Sequence, residues 1–141
     1  MTPDALAAIH AAAFTDPRPW SADEIGALLQ GPGAYLVTAP EGFAIGRVIL
    51  DEVELLTIAV LPQARGRGVG ARLLAGIEAG AVAHGARQGY LEVSALNAPA
   101  RALYTRAGWA DCGRRKGYYR DATGAPCDAV LMVRTFAQPK G

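Results

Sequence analysis

A glycine-rich turn between a strand and a helix constrains this fold more than any other feature of the sequence. Residues 55–60 are apolar at almost every position, which is typical of a strand buried on both faces. Pro62 ends this strand, and the turn Arg-Gly-Arg-Gly-Val-Gly follows at residues 65–70. Apolar residues then recur at every fourth position from Val69 to Ile77, which predicts an amphipathic helix. The sequence therefore predicts a buried strand that three alternate glycines connect to a helix.

The turn has the composition of an anion-binding site. Glycine lets the backbone approach a ligand closely, and the start of a helix offers unpaired N–H groups at the positive end of the helix dipole. Together these features favour phosphate groups, and Arg65, Arg67 and Arg72 add positive charge nearby. A turn that required only flexibility would need a single glycine, so we interpret the turn as a phosphate site.

Two common phosphate-binding motifs fit the turn poorly. A P-loop requires lysine and then serine or threonine after its last glycine, whereas Gly70 is followed by Ala71 and an arginine. The dinucleotide-binding pattern fits formally, since Gly66, Gly68 and Ala71 match it and Glu92 follows about 20 residues later. However, five residues, 61–65, separate the strand from the first glycine, and the chain after Glu92 is too short for the rest of that fold.

The remaining patterns predict one domain that spans residues 1–141. The element order is α-α-β-β-β-α-β-α-β-β, which indicates a mixed sheet flanked by helices, an α/β or α+β domain with one core. Ser21 and Glu24 form a capping box for the second helix, and Asn97 can cap the fourth. The predicted strands are residues 35–38, 42–50, 53–60, 90–94, 109–115 and 129–135, and the predicted loop of the last pair is residues 118–128.

Composition and charge exclude several classes of function. The net charge of +1 provides no field that would attract nucleic acid or a membrane surface. No apolar run approaches the roughly 18 residues of a membrane span, and the N-terminus has no signal-peptide pattern. Cys112 and Cys127 belong to no Cys/His cluster with metal spacing. We therefore expect a cytoplasmic protein with no metal, no membrane partner and no nucleic-acid partner.

The second basic cluster and the two histidines are assigned no function. The second basic cluster, Arg114, Arg115 and Lys116, is typical of a solvated surface. His10 and His84 lie on predicted helices remote from the motifs, and we assign neither a role.

Several motifs together resemble the GNAT superfamily of N-acetyltransferases. The segment Ile-Ala-Val-x-Pro at residues 58–62 and the segment Arg-x-x-Gly-x-Gly-x-x-Leu-Leu at residues 65–74 are similar to its acyl-CoA motif. Residues 91–93, 97, 102–104 and 108–109 resemble the second half of that fold. Flanking features at residues 19–21, 117–119 and 128–129 are similar to the bacterial ribosomal-protein-alanine N-acetyltransferases. The resemblance covers about residues 17–135.

The resemblance implies both a fold and a cofactor. It implies a central, mostly antiparallel sheet with about four helices, in which strands 53–60 and 90–94 splay apart to leave a slot for the acetyl-CoA thioester. The chain starts almost at its first helix, so the N-terminal edge strand of the family is expected to be missing or supplied otherwise. The residues that the resemblance assigns to acetyl-CoA are Ile58, Ala59 and Val60 for the pantetheine arm, Arg65, Gly66, Arg67, Gly68, Val69, Gly70 and Ala71 for the pyrophosphate, and Asn97 and Tyr104.

Glu92 and Tyr104 are the candidate catalytic residues. Acyl transfer to an amine needs a base for the amine and an acid for the leaving thiolate. The resemblance aligns Glu92 with the family base and Tyr104 with the family acid, and a phenol with a pKa of about 10 is a donor at neutral pH. The alternatives are a strand-end carboxylate that faces water for Glu92 and a core tyrosine bonded to backbone for Tyr104.

Three aromatic residues are expected on the acceptor side. The resemblance assigns Trp20, Tyr118 and Tyr119 to loops that shape a peptide groove, and their alternatives are a helix staple and ordinary loop packing. Ser94 stands where the alanine acetyltransferases often carry arginine, and Cys127 stands near a position where an acidic residue is commoner. These departures leave the acetyl-CoA assignment intact and affect the acceptor.

The resulting hypothesis is direct transfer of an acetyl group from acetyl-CoA to a primary amine, because no residue resembles an acyl-enzyme nucleophile. The favoured acceptor is the N-terminal α-amine of a protein, as in the ribosomal-protein-alanine type. The alternatives are a GNAT enzyme for a small amine, amino acid or antibiotic, and a non-catalytic acyl-CoA-binding module. We expect a monomer or a weak homodimer.

Overall fold

The computed structural model describes residues 1–13, 19–121 and 123–136. Its elements follow the predicted order. The helices are α1 (Pro3–Ala13), α2 (Ala22–Gln30), α3 (Val69–Ala83) and α4 (Ala98–Arg106), with a short 3-10 helix at Pro62–Ala64. The strands are β1 (Ala34–Ala39), β2 (Gly42–Ile49), β3 (Glu52–Val60), β4 (Gln88–Ser94), β5 (Ala110–Arg120) and β6 (Pro126–Thr135).

The strands form a single six-stranded sheet in the order β1-β2-β3-β4-β6-β5. Every neighbouring pair is antiparallel except β3 and β4, which are parallel. The crossover between these two strands is α3. The prediction of a mixed, mostly antiparallel sheet with four helices is therefore confirmed. The first described element is α1, and β1 forms one edge of the sheet.

Apolar side chains pack on both faces of the sheet because neighbouring strand residues point to opposite sides. Phe43 and Ile45 pack with α1 and α2, where Leu6 and Ile25 are fully buried. Ala44, between them in sequence, belongs to the core beneath α3 and α4. That larger core contains the predicted apolar positions of α3 and the buried ring of Trp109; the α3 residues are Val69, Leu73, Leu74 and Ile77.

Side-chain caps set the start of two helices, as the sequence predicts. Ser21 Oγ accepts the N–H of Glu24 at 3.1 Å, and the Glu24 carboxylate accepts the N–H of Ser21 at 3.1 Å. Asn97 Oδ1 accepts the N–H of Ala100 at 3.2 Å. Each cap satisfies backbone donors that the first helical turn leaves unpaired.

A β-bulge interrupts β3 where it passes β4. Ile45 pairs with Thr57 and Gly46 pairs with Leu55, so Leu56 is an extra residue on β3. A bulge bends its strand and increases the local twist. The parallel pairing with β4 extends only from the pair Glu52–Gln88 to the pair Leu55–Leu91. Beyond that point the two strands separate, as the splayed sheet requires.

The last two strands are longer than the sequence predicts. β5 continues to Arg120 and β6 begins at Pro126, so the prediction of a loop over residues 118–128 is wrong. β5 is an edge strand with almost every residue exposed, and the apolar pattern on which strand prediction depends is therefore absent from it.

Among the described residues, no helix is long and apolar enough to cross a membrane.

Gly80 provides a test of the packing between α3 and the sheet. A Cβ added at Gly80 would lie 2.8 Å from the ring of Tyr35, which is held in place because its hydroxyl donates to the carbonyl of Ile77. We expect Gly80→Ala to lower the free energy of unfolding by about 1–3 kcal/mol through overpacking, measured by urea denaturation.

Gly26→Ala is the matched control. A Cβ at this helical position would meet its nearest atom at 3.8 Å, in Pro3. Alanine is the better helix former by about 1 kcal/mol, so this variant should be as stable as the wild type or more so. Equal gains from both substitutions would contradict the close packing of α3 on β1.

Candidate active site

The separation of β3 from β4 opens the sheet, and two cavities meet at the opening. The first has a volume of about 850 Å³ and lies beside the glycine-rich turn, α3 and α4. The second has a volume of about 490 Å³ and lies beside α1, α2 and the β5–β6 hairpin. Residues that line both cavities are Ile58, Asn97, Ala100 and Tyr104. Two molecules, one bound in each cavity, would therefore meet at Tyr104.

The first cavity, called here the donor cavity, brings together most of the residues that the sequence assigns to acetyl-CoA. Those that line it are Ile58, Val60, Arg65, Gly66, Gly68, Val69, Gly70, Ala71, Asn97 and Tyr104. Two do not line it. The side chain of Ala59 is buried in the core under α1 and α2, because it alternates with Ile58 and Val60 along the strand. Arg67 is exposed, and its carbonyl accepts a hydrogen bond from Arg72 at 3.4 Å.

The glycines of the turn are needed for different reasons. Gly66 and Gly68 adopt φ angles of +80° and +77°, in the left-handed region where residues with a Cβ are strained. Gly70 is helical, and a Cβ there would lie 3.2 Å from Leu103 of α4. Two glycines therefore shape the turn, and the third lets α3 approach α4.

The start of α3 has the properties of a phosphate site. Gly68 is the N-cap and provides no side-chain cap. Among the residues that the structure describes, no side chain caps the first-turn amides of Val69, Gly70 and Ala71, all of which line the donor cavity. Arg65 also lines this cavity, and its guanidinium donates to the carbonyl of Ala13 at 2.8 Å. The amides, the helix dipole and this cation together fit the pyrophosphate of acetyl-CoA.

Charged residues that the sequence analysis missed line the far part of the donor cavity. They include Glu78, Arg106 and Arg134. The Glu78 carboxylate accepts the indole N–H of Trp109 at 2.9 Å and a guanidinium N–H of Arg134 at 2.6 Å. No local pattern connects these residues, because α3 and β6 bring them together from distant positions in the chain.

The second cavity, called here the acceptor cavity, contains all the residues that the sequence assigns to the acceptor side. Trp20, Tyr118 and Tyr119 line it, together with Glu92. The lining residues that the sequence analysis left without a role include His10, Arg47, Glu54 and Thr57. Ser94 also lines it, with its hydroxyl 3.1 Å from the Cys127 sulfur.

Tyr104 lies at the junction of the two cavities. It is buried, and in the described part of the chain its hydroxyl has no hydrogen-bond partner. This geometry disfavours the alternative of a core tyrosine that is bonded to backbone. Burial, and to a smaller extent Tyr119, raise the pKa of Tyr104 well above the ordinary value of 10. The hydroxyl therefore keeps its proton at neutral pH and can donate it.

Glu92 faces the acceptor cavity from β4 and forms an ion pair with Arg115 of β5 at 3.2 Å. Arg115 is exposed, as predicted for the second basic cluster, but it also lies 5.3 Å from the ring of Tyr118. Burial and the neighbouring Glu92 raise the pKa of Tyr119 to about 12. The Glu92 carboxylate thus has Arg115 as its cation and the protonated phenol of Tyr119 nearby.

His10 lies beside the acceptor cavity, so the prediction that it is remote from the motifs is wrong. It is buried in the wall of the acceptor cavity, where its ring stacks on Trp20 with centroids 4.9 Å apart. Its Nε2 is 3.2 Å from Thr57 Oγ1, and its Nδ1 accepts the N–H of Trp20 at 3.1 Å. Burial lowers the pKa of His10 to about 4, against a smaller opposing effect of Glu24. The sequence offered no sign of this site, because 47 residues separate His10 from Thr57.

His84, Cys112 and Cys127 line neither cavity. His84 Nδ1 is 2.7 Å from the carbonyl of Gly80 at the end of α3. Cys112 is exposed and Cys127 is buried. Within the described ranges, no group of three or more histidine, cysteine, aspartate or glutamate side chains could hold a metal ion.

The arrangement defines a class of protein: an acyltransferase in which an anion-binding turn and a splayed sheet hold an acyl donor beside a separate acceptor cavity. Comparison with known proteins agrees. The profile described as the Acetyltransferase (GNAT) family matches residues 4–109. The chain therefore belongs to the GNAT acetyltransferase family, and the predicted enzyme class is confirmed.

Relatives of known name are similar over much or most of the chain. The N-alpha-acetyltransferase RimI of Mycobacterium tuberculosis is 35% identical, with 94% of this chain and 86% of that protein covered. The ribosomal protein bS18-alanine N-acetyltransferase of Salmonella typhimurium is 41% identical over 64% of this chain and 61% of that protein. The crystal structure of the ribosomal-protein-S18-alanine N-acetyltransferase from Escherichia coli superposes with a TM-score of 0.85 at 31% identity, covering 98% of this chain and 89% of that one.

Substitution of Gly68 tests the phosphate site. Gly68→Glu places a side chain on a residue with φ of +77° and a negative charge at the start of α3. We expect the affinity for acetyl-CoA, measured by calorimetry, to fall by at least about 100-fold, because the carboxylate repels the pyrophosphate and takes its place at the positive end of the helix dipole.

Gly124→Glu is the matched control, since Gly124 has a φ of +84° and lies in the β5–β6 turn away from the donor cavity. It should cost a similar amount of stability and leave acetyl-CoA binding unchanged. Unchanged binding by Gly68→Glu would remove the turn as the pyrophosphate site.

Proposed function

We propose that this enzyme transfers the acetyl group of acetyl-CoA to the N-terminal α-amine of a protein, with alanine as the preferred first residue. The observation that carries the proposal is the junction of the two cavities at Tyr104, with Glu92 in the acceptor cavity. A candidate base in the acceptor cavity and a candidate acid at the junction support this proposal, since the amine and the thioester would meet there. The small-amine alternative is an outcome of the test below.

The residues of the donor cavity suit the thioester donor. Bound acetyl-CoA would supply the acetyl group, and the CoA thiolate would be the leaving group. Between Leu56 and Val60 no β4 residue pairs with β3, so the backbone edge of this segment is free to bind the pantetheine amides. The amides of the first turn of α3, with Arg65, hold the phosphates.

Glu92 and Tyr104 carry the two proton transfers in this proposal. An α-amine has a pKa of about 8, so a carboxylate in contact with it, directly or through one water molecule, can accept its proton. Tyr104 keeps its proton because burial raises its pKa, and it donates that proton to the departing sulfur. Arg115 holds the Glu92 carboxylate in place through their ion pair.

The acceptor cavity and the relatives support a protein N-terminus. The aromatic side chains of Trp20, Tyr118 and Tyr119 provide a lining suited to an extended peptide. The Salmonella and Mycobacterium relatives, at 41% and 35% identity, are named for acetylation of a ribosomal protein alanine and of an N-terminal amine respectively. We propose the same class of acceptor here.

The proposed acceptor is tested by release of the CoA thiol. Peptides that begin with Ala, Ser, Gly or Met are compared with a panel of small amines and amino acids. We expect kcat/KM to be at least about tenfold higher for the alanine peptide than for any small amine.

The control is the same alanine peptide with a blocked N-terminus and an internal lysine. Turnover of this peptide would indicate a lysine acetyltransferase, and turnover of small amines alone would replace the proposed acceptor. Tight acetyl-CoA binding without turnover of any amine would indicate a binding module.

Tyr104→Phe tests the general acid. Removal of the hydroxyl should lower kcat by about 100-fold or more, and the affinity for acetyl-CoA should change by less than about twofold. The control is Tyr90→Phe, the same change on β4 at a residue that lines neither cavity. An equal loss of turnover and of acetyl-CoA affinity in Tyr104→Phe would instead assign the hydroxyl to binding.

A further inference from the structure

The contact between His10 and Thr57 has no part in the chemistry described above, although both residues line the acceptor cavity. Thr57 is buried, and it follows the bulge residue Leu56 on β3. The bulge reverses the alternation of side chains along this strand. Leu55 and Ile58 belong to the core under α3, whereas Leu56 packs against the core under α1 and α2. Thr57 lines the acceptor cavity alone, and Ile58 lines both cavities.

The hydrogen bonds of His10 define which of its nitrogens carries the proton. Burial keeps the ring neutral, so one nitrogen is a donor and the other an acceptor. Nδ1 accepts the backbone N–H of Trp20 at 3.1 Å, and an amide N–H can only donate. The proton therefore resides on Nε2, which donates to Thr57 Oγ1 at 3.2 Å.

This orientation leaves the hydroxyl proton of Thr57 without an acceptor among the residues that the structure describes. A hydroxyl has one proton to donate and two lone pairs, and one lone pair is occupied by His10. Within the described ranges, Thr57 Oγ1 has no other hydrogen-bond partner. A buried donor is costly unless it finds an acceptor, and the acceptor cavity is the space that Thr57 lines.

We propose that Thr57 is a substrate-binding residue whose hydroxyl donates to a backbone carbonyl of the acceptor peptide, and that His10 is a positioning residue which holds the hydroxyl in that orientation. The inference rests on the proposed function, since it requires a peptide in the acceptor cavity. The first carbonyl of a peptide is separated from its α-amine by a single Cα, so both groups lie in this cavity when the amine reaches Glu92. Simple alkylamines have no such carbonyl.

Kinetics of Thr57→Val test the proposal, because valine keeps the shape and removes the hydroxyl. With the alanine peptide, KM should rise about three- to tenfold, the range expected for one neutral hydrogen bond. The kcat and the KM for acetyl-CoA should stay within about twofold of the wild type. Thr57→Ser, which retains the hydroxyl, should restore the peptide KM.

Two further variants complete the design. Thr38→Val is the matched control, since Thr38 is exposed on β1 and lines neither cavity. His10→Phe keeps an aromatic ring against Trp20 but removes both ring nitrogens. In the His10→Phe background, Thr57→Val should raise the peptide KM by less than it does in the wild type, which a double-mutant cycle measures. Should Thr57→Val fail to fold, Thr57→Ala gives the same comparison.

The outcomes separate the two proposals. An active wild type whose peptide KM is unchanged in Thr57→Val overturns the role of Thr57 and leaves the proposed function intact. Additive effects of the two substitutions overturn the positioning role of His10. A wild type that acetylates no N-terminal peptide overturns the proposed function, and this inference with it.

Discussion

The site depends on the point where β3 stops pairing with β4. The two strands are parallel neighbours from Glu52 to Leu55, and the extra residue Leu56 then bends β3 away. Had the pairing continued, the backbone groups that follow would be satisfied within the sheet, and the sheet would separate the donor side from the acceptor side. Because the pairing stops, a free backbone edge and a passage between the two cavities arise together. The bulge is thus both a structural irregularity and the origin of the site.

On the donor side of this opening, α3, α4 and the glycine-rich turn pack together. Two glycines with positive φ shape the turn before α3, and Gly70 lets α3 approach α4. α4 in turn carries Tyr104 to the junction, with Asn97 capping its start. The glycine turn and the candidate acid are therefore coupled through helix packing. A change in the approach of α3 to α4 would alter both cofactor binding and the position of the acid.

On the acceptor side, polar groups lie at the edge of an apolar lining. Glu92 is held by Arg115, and the neutral His10 connects the entry of α2 to Thr57 on β3. Burial disfavours the charged form of each titratable group. It raises the pKa of the phenols Tyr104 and Tyr119 and lowers that of His10, so all three remain uncharged near neutral pH. The charged side chains that line this cavity are Glu92, which pairs with Arg115, and the ion pair of Arg47 with Glu54.

Local sequence signals determined the order of the elements, because each depends on residues close together in the chain. The capping box at Ser21, the apolar period of α3 and the alternate glycines after β3 were readable as patterns of periodicity and conformational freedom. The resemblance to a family then indicated Glu92 and Tyr104, and both residues line the acceptor cavity. The edge strand β5 escaped full prediction, since an exposed strand has no buried face and so no apolar alternation.

Only the tertiary structure decided what surrounds those residues. The bulge at Leu56 depends on how β2 aligns with β3, and the burial of His10 depends on how α1 packs against the sheet. The ion pair of Glu92 requires β6 to lie between β4 and β5. Register, burial and contacts between distant segments arise from the packing of the whole chain, and no short stretch of sequence contains them. The sequence by itself therefore determined the fold class and the candidate chemistry, whereas the protonation states and the shape of the acceptor cavity required the folded protein.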